Sequence, residues 1–164
     1  MDRFQDNPIT GIPRIDKDAG DALDYRIAYA EFLRGGDVDW SPRATYALGQ
    51  TLWPRIANSN QKRYRCTTPG QAGTTRPTWP SSSTVTDGSV VWTTIGAVPT
   101  VSSASASGDT GITVGSATVD ATGNVVTVRV SGGTAGQTYR VTVTATLSTS
   151  ETVERSFDVM VRDR

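Results

Sequence analysis

Three stretches near the carboxy end alternate apolar and polar residues with a period of two: VVTVRV at 125–130, YRVTVTA at 139–145 and RSFDVMVR at 155–162. Successive side chains of a β-strand point to opposite faces of its sheet. Val126, Val128 and Val130 therefore share one face, and Thr127 and Arg129 share the other. Tyr139, Val141, Val143 and Ala145 make a second such face, and Phe157, Val159 and Val161 a third. A helix would scatter each set around its axis, so this part of the chain is committed to sheet. Gly132, Gly133 and Gly136, and residues 148–151, supply the turns. Several short strands at this spacing, separated by Gly- and Ser-rich turns, describe a β-sandwich.

The rest of the composition agrees. Apolar residues make up 36% of the chain, and Gly, Ser, Thr and Val are abundant, as in β-rich proteins with many turns. A length of 164 residues bounds the chain to one or two domains, with one modest core or two small ones. The formal net charge is zero, which weighs against nucleic acid or an anionic membrane as the main partner. All cations but Lys17 and Lys62 are Arg. The planar guanidinium suits protein interfaces, although a skewed genomic base composition produces the same bias. Cys66 is the only cysteine, so no intrachain disulfide forms. No run approaches the roughly 18 apolar residues of a membrane span. The amino terminus, MDRF, lacks an apolar stretch, and the expectation is assembly in a cytoplasm. The absence of His removes the commonest general base and metal ligand.

Residues 1–14 carry two prolines, a glycine and little periodicity, and read as an amino-terminal arm whose Phe4, Ile9 and Ile12 are candidates to dock on a neighbour. Residues 15–38 fit helical and strand spacing alike. The favoured reading is a strand through Ala28, then a helical turn over residues 29–33, ended by Gly35 and Gly36. Residues 39–98 hold all four tryptophans and five of the eight prolines. Asp87-Gly88 between TVT and SVVW predicts a hairpin. This stretch reads as a compact all-β module with very short strands.

GITVGS at 111–116, VRVSGGTAGQTYRV at 128–141 and ERSFDVMV at 154–161 resemble a family of small tailed-bacteriophage virion proteins, the fiber-tail adaptor or neck and tail proteins. LDYRIAY at 23–29 and FLRGGD at 32–37 are similar to an early element of the same pattern. The resemblance covers residues 15–38 and 99–164. In the family the "GD" leads straight into the next strand, whereas here about 60 residues intervene. An insertion in a loop costs little, because loop-closure entropy grows slowly with length. The fold so implied is all-β: an immunoglobulin-like β-sandwich from residues 15–38 plus 99–164, with a small Trp/Pro-rich β module, 39–98, inserted in a loop. The inserted stretch is similar to small modules that recur in phage structural proteins. Its Trp40, Tyr46 and Gly49 are also similar to the opening of small carbohydrate-binding modules.

The resemblance implies a structural role with no site chemistry: a ring of copies in the neck or tail, between the head-tail connector or tail and the fibres. Expected partners are other virion proteins, with no membrane, no direct nucleic acid and no cofactor. Candidate interface residues are Phe4, Ile9, Ile12, Phe32, Leu33, Trp40 and Trp53. The competing reading is a surface decoration or glycan-binding protein stacking sugars on Trp79, Trp92 and Tyr64. A disulfide-free module with few aliphatics needs large rings for its core, so Trp79 and Trp92 are expected to be structural. The aspartates at 16, 18, 21 and 24 lack the Glu that closes a calcium loop. Cys66 without His reads as a small buried hydrophobe. No Gly-x-Ser-x-Gly elbow is present, and nothing singles out a carboxylate pair for glycan hydrolysis. Arg63, Arg65 and Arg76 read as a solvated face or protein interface.

Overall fold

The computed structural model describes residues 5–6, 13–54 and 61–163. In chain order the elements are β1 Gln5–Asp6, β2 Pro13–Asp18, β3 Ala22–Ala28, α1 Ala30–Arg34, β4 Thr45–Tyr46, β5 Thr51–Leu52, β6 Lys62–Thr68 and β7 Gly70–Gln71. There follow β8 Thr84–Asp87, β9 Val90–Ala97, β10 Val101–Gly108, β11 Ile112–Val114, β12 Thr118–Val119, β13 Val125–Gly132, β14 Thr138–Leu147 and β15 Thr152–Arg162. The architecture is all-β, as the alternation requires. The chain divides into two compact units, residues 1–30 with 100–164 and residues 31–99.

The first unit is sandwich-like. One sheet has the order β1-β2-β15-β14-β10, antiparallel throughout except for the parallel pair β2 and β15. In the other, β13 pairs with β3 on one side and with β11 and β12 on the other. The sheets meet through the alternating sets: Val126, Val128 and Val130 from β13, Val141, Val143 and Ala145 from β14, and Val159 and Val161 from β15 are all fully buried. Each such valine contributes about 1.5–3 kcal/mol relative to an exposed one. Tyr25 of β3 reaches Phe157 of β15 with ring centroids 5.4 Å apart. Alternation breaks once, at Asp158, which is buried between Phe157 and Val159 because Arg140 on the neighbouring strand covers its carboxylate.

Of the stretch read as an arm, the described residues 5, 6, 13 and 14 lie in strands. Gln5–Asp6 pairs with Pro13 and Arg14, and β2 runs beside β15 with Ile15 opposite Val159. Lys17 on this strand is buried at 2% exposure, and its ammonium is closed in by the carbonyls of Asp18 at 2.6 Å, Gly132 at 2.9 Å and Ala19 at 3.4 Å. A buried cation persists only when such dipoles replace its water. The glycine-rich turn after β13 thus receives Lys17, and within it the Thr134 N–H donates to the hydroxyl of Tyr139 at 3.0 Å.

The second unit has a four-stranded sheet, β5-β6-β9-β8, and a two-stranded one, β4-β7. The predicted hairpin is present, with Asp87 opposite Val90. Gly88 has φ +66°, and a Cβ there would run into the backbone of residues 71–73. The predicted helical turn after Ala28 is α1.

Candidate functional site

The aromatic residues of the second unit form its core. Tyr46, Leu52, Tyr64, Cys66, Ala72, Trp79, Val90 and Trp92 cluster together, with Val38, Trp40, Ala44 and Val85 packed against them. Rings meet edge-on or tilted: Tyr46 with Trp92 at 4.9 Å, Tyr64 with Trp79 at 4.6 Å, and Trp79 with Trp92 at 6.0 Å. The polar tips of both tyrosines are used inside the unit. Tyr64 donates to the Pro80 carbonyl at 2.5 Å. Tyr46 donates to the Asp39 carbonyl at 2.9 Å and accepts from the Ser41 N–H at 2.8 Å. Burial pushes the Tyr46 hydroxyl above the ordinary phenol pKa, against the Ser41 bond. Tyr64 and Trp92 are fully buried and Trp79 is 8% exposed. These three residues therefore offer no open face to a sugar ring, and the stacking platform required by the glycan reading finds no support.

Trp40 is half-buried. Its indole N–H donates to Asp87 Oδ2 at 2.7 Å, and the Arg76 guanidinium lies 5.1 Å from its ring centroid. Asp87 Oδ1 accepts from the Gly73 N–H at 2.8 Å, so one buried carboxylate ties the hairpin tip to two distant segments. Asp37 is buried and held in a fork by Arg63, at 2.6 Å to Nε and 2.5 Å to Nη2. That bond, ahead of any opposing desolvation, raises the Arg63 pKa above its ordinary value. Arg34 donates to the Asp37 carbonyl at 2.8 Å and pairs with Asp39 at 2.8 Å. Two members of the predicted basic cluster, Arg63 and Arg76, are thus engaged within the unit, while Arg65 is exposed on β6 between Thr51 and Thr93.

The candidate interface residues separate. Phe4, Ile9 and Ile12 lie outside the described residues. Leu33 and Trp53 are buried, at 5% and 9% exposure. Phe32, on the opposite side of the α1 turn, is 45% exposed. Two further apolar side chains, Leu48 at 69% and Ile95 at 39%, are also exposed. All three belong to the second unit. Sequence reasoning passed over the latter two. Leu48 sits in a turn closed by the Ala47 N–H donating to Gln50 Oε1. Ile95 is the extra residue of a bulge opposite Arg63 and Tyr64. Among the described residues no group of His, Cys, Asp or Glu is placed to hold a metal ion. Asp16 and Asp24 instead pair with Arg162 and Arg129. Cys66 is buried, its thiol donating to the Thr68 carbonyl at 3.3 Å, and burial pushes its pKa up.

Residues 81–160, just under half of the chain, match the family model described as podophage GP4 fiber-tail adaptor protein gp77. The match supports a phage fiber-tail adaptor family. No curated protein matches the chain. The stretch that matches the fiber-tail adaptor family takes in the β8–β9 hairpin, β10 to β14 and most of β15, including the turn at 132–136 that receives Lys17. Phe32 and Leu48 lie before it, and Ile95 lies within it. The buried charges Lys17, Asp37, Asp87 and Asp158 were not singled out from sequence. For Asp87 the signal was available, since an Asp before the hairpin glycine accepts backbone N–H bonds readily.

Proposed function

We propose that the chain is a non-enzymatic structural part of a tailed-phage virion, an adaptor in the neck or tail that links the head-tail connector or tail to fibres. The observation that carries this reading is the match to the fiber-tail adaptor family over residues 81–160. The tertiary structure supports it: the polar and aromatic groups described above are spent on internal packing and hydrogen bonds, as a rigid scaffold requires. The first unit is an immunoglobulin-like sandwich. This rests on the strand order β2-β15-β14-β10 facing β3-β13-β12, on the parallel β2–β15 pair, and on the corner at Tyr139. In that reading the second unit is an insertion between β3 and β10. Copies form a ring, assembled in the host cytoplasm, in which many weak contacts add up. Phe32, Leu48 and Ile95 are the side chains we assign to contact with neighbouring virion proteins.

A cryo-EM map of the particle that carries this protein tests the reading. A ring at the neck or tail, touching a fibre, is the expected result. Copies dispersed over the capsid surface, or absent from the particle, would refute it. Leu48→Glu in the full chain is expected to leave its folding unchanged and to lower its incorporation into particles.

A further inference from the structure

The five-stranded sheet ends on β10, whose residues VSSASASG contain no charge and no proline. Natural sheets blunt such margins with charges, prolines or bulges, because unpaired N–H and C=O groups template pairing with another chain. The opposite margin of this sheet follows that rule: β2, next to the edge strand β1, carries Pro13, Asp16, Lys17 and Asp18. β10 does not. It has neighbours across the sandwich, β12 among them. The Val101 N–H donates to the Gly123 carbonyl at 2.8 Å, and Gly108 lies close against Ile112 and Val114. Between them lies Ser-Ala-Ser-Ala-Ser, residues 103–107, with the three serines exposed and both alanines half-buried.

This segment reads the same in both directions about Ser105. The ladder sets which of its backbone groups face outward. The Asp109 N–H donates to the Arg140 carbonyl on β14, and β10 and β14 stay in register from Ser103 to Gly108. Alternation then turns the backbone groups of Ser103, Ser105 and Ser107 toward β14, and those of Ala104 and Ala106 toward the open margin.

We propose that β10 pairs antiparallel with β10 of a second copy of this chain, about a two-fold axis through Ser105. Ala104 faces Ala106 of the second copy and exchanges two N–H···O bonds with it, and the symmetric pair does the same. Ser103 faces Ser107, and Ser105 faces Ser105 in the close, non-hydrogen-bonded position. An isologous contact needs a self-complementary patch; here serine meets serine, alanine meets alanine, and no charge is brought against another. The pairing caps the margin in the free chain before assembly. It does not depend on the adaptor reading.

Cysteine scanning of the full-length chain tests this. Residues facing each other in a non-hydrogen-bonded pair lie about 4.5 Å apart at Cα, within disulfide reach. Under mild oxidation Ser105→Cys is expected to give a covalent dimer. Ser103→Cys alone should not, whereas Ser103→Cys mixed with Ser107→Cys should. The parent chain is the control, since Cys66 is buried. In sedimentation velocity the parent is expected to show a concentration-dependent dimer that Ser105→Lys abolishes. A parent that stays monomeric throughout overturns the proposal, and so does a dimer in which Ser103→Cys cross-links alone as fast as Ser105→Cys.

Discussion

Arg63 and Asp37 show how much a single pair can carry in a unit with few aliphatic residues. The Asp37 side chain is fully buried, while Arg63 is 26% exposed. Removing the guanidinium leaves a buried carboxylate without its fork, a change that costs about 3 kcal/mol for pairs of this kind. Arg63→Ala is expected to lower stability by that order and Arg63→Lys by less, because a lysine keeps the charge but loses the two parallel bonds. Denaturant unfolding followed by tryptophan emission measures it, since all four tryptophans belong to this unit. An Arg63→Ala chain as stable as the parent would show that the pair is idle. Cys66 gives a second check at this scale. Burial both covers the thiol and raises its pKa, so a thiol reagent at neutral pH is expected to react slowly with the native chain and at once after unfolding.

Turns decide how the elements are joined. Between β12 and β13, Asp120 accepts a hydrogen bond from the Thr122 hydroxyl at 2.6 Å and from the N–H groups of Asn124 and Val125 at 2.9 Å each. The Thr122 bond first, and the backbone bonds with it, hold its carboxyl below the ordinary value against a smaller opposing effect of burial. A carboxyl so depressed stabilises the fold above the unfolded pKa of about 4, and that contribution disappears as pH falls through the lower folded value. Asp120→Asn is expected to lower Tm near neutral pH and to flatten the acid limb of a Tm-against-pH curve. An unchanged acid limb would remove Asp120 from the account. Between β13 and β14, Gly133 has φ +95°, and a Cβ there would lie 2.6 Å from Val161 Cγ2 and 3.2 Å from Tyr139 Cε2. Gly133→Ala therefore combines a left-handed backbone with overpacking, and a loss of about 1–3 kcal/mol is expected in denaturant unfolding. The strands on either side of this turn were legible in sequence because their partners impose a period of two. β2 was not. Its sequence PRIDKD offers one apolar side chain, and its place beside β15 comes from Ile15 and from carbonyls that collect around Lys17.

At the scale of the molecule, the tryptophans report on function as well as packing. Trp53, Trp79 and Trp92 are at most 9% exposed, and Trp40 is half-buried under Arg76. Native emission is expected to be blue-shifted, weakly quenched by acrylamide and unmoved by added glycans. Strong quenching would mean that the rings face solvent after all. The sequence alone determined the all-β class, the inward faces of β13, β14 and β15, the helical turn after Ala28, the Asp87–Gly88 hairpin and the use of Trp79 and Trp92 as core. Periodicity and turn chemistry are local, and a local pattern can be read from the residues that carry it. Tertiary structure alone decided that Leu33 turns inward while Phe32 faces out, that Trp53 is covered, and that Leu48 and Ile95 are exposed. It also decided that Lys17, Asp37, Asp87 and Asp158 are interior charges. Whether a polar or apolar side chain is buried depends on partners far away in the chain: Gly132 for Lys17, Arg63 for Asp37, Trp40 for Asp87. No spacing along the sequence encodes those meetings.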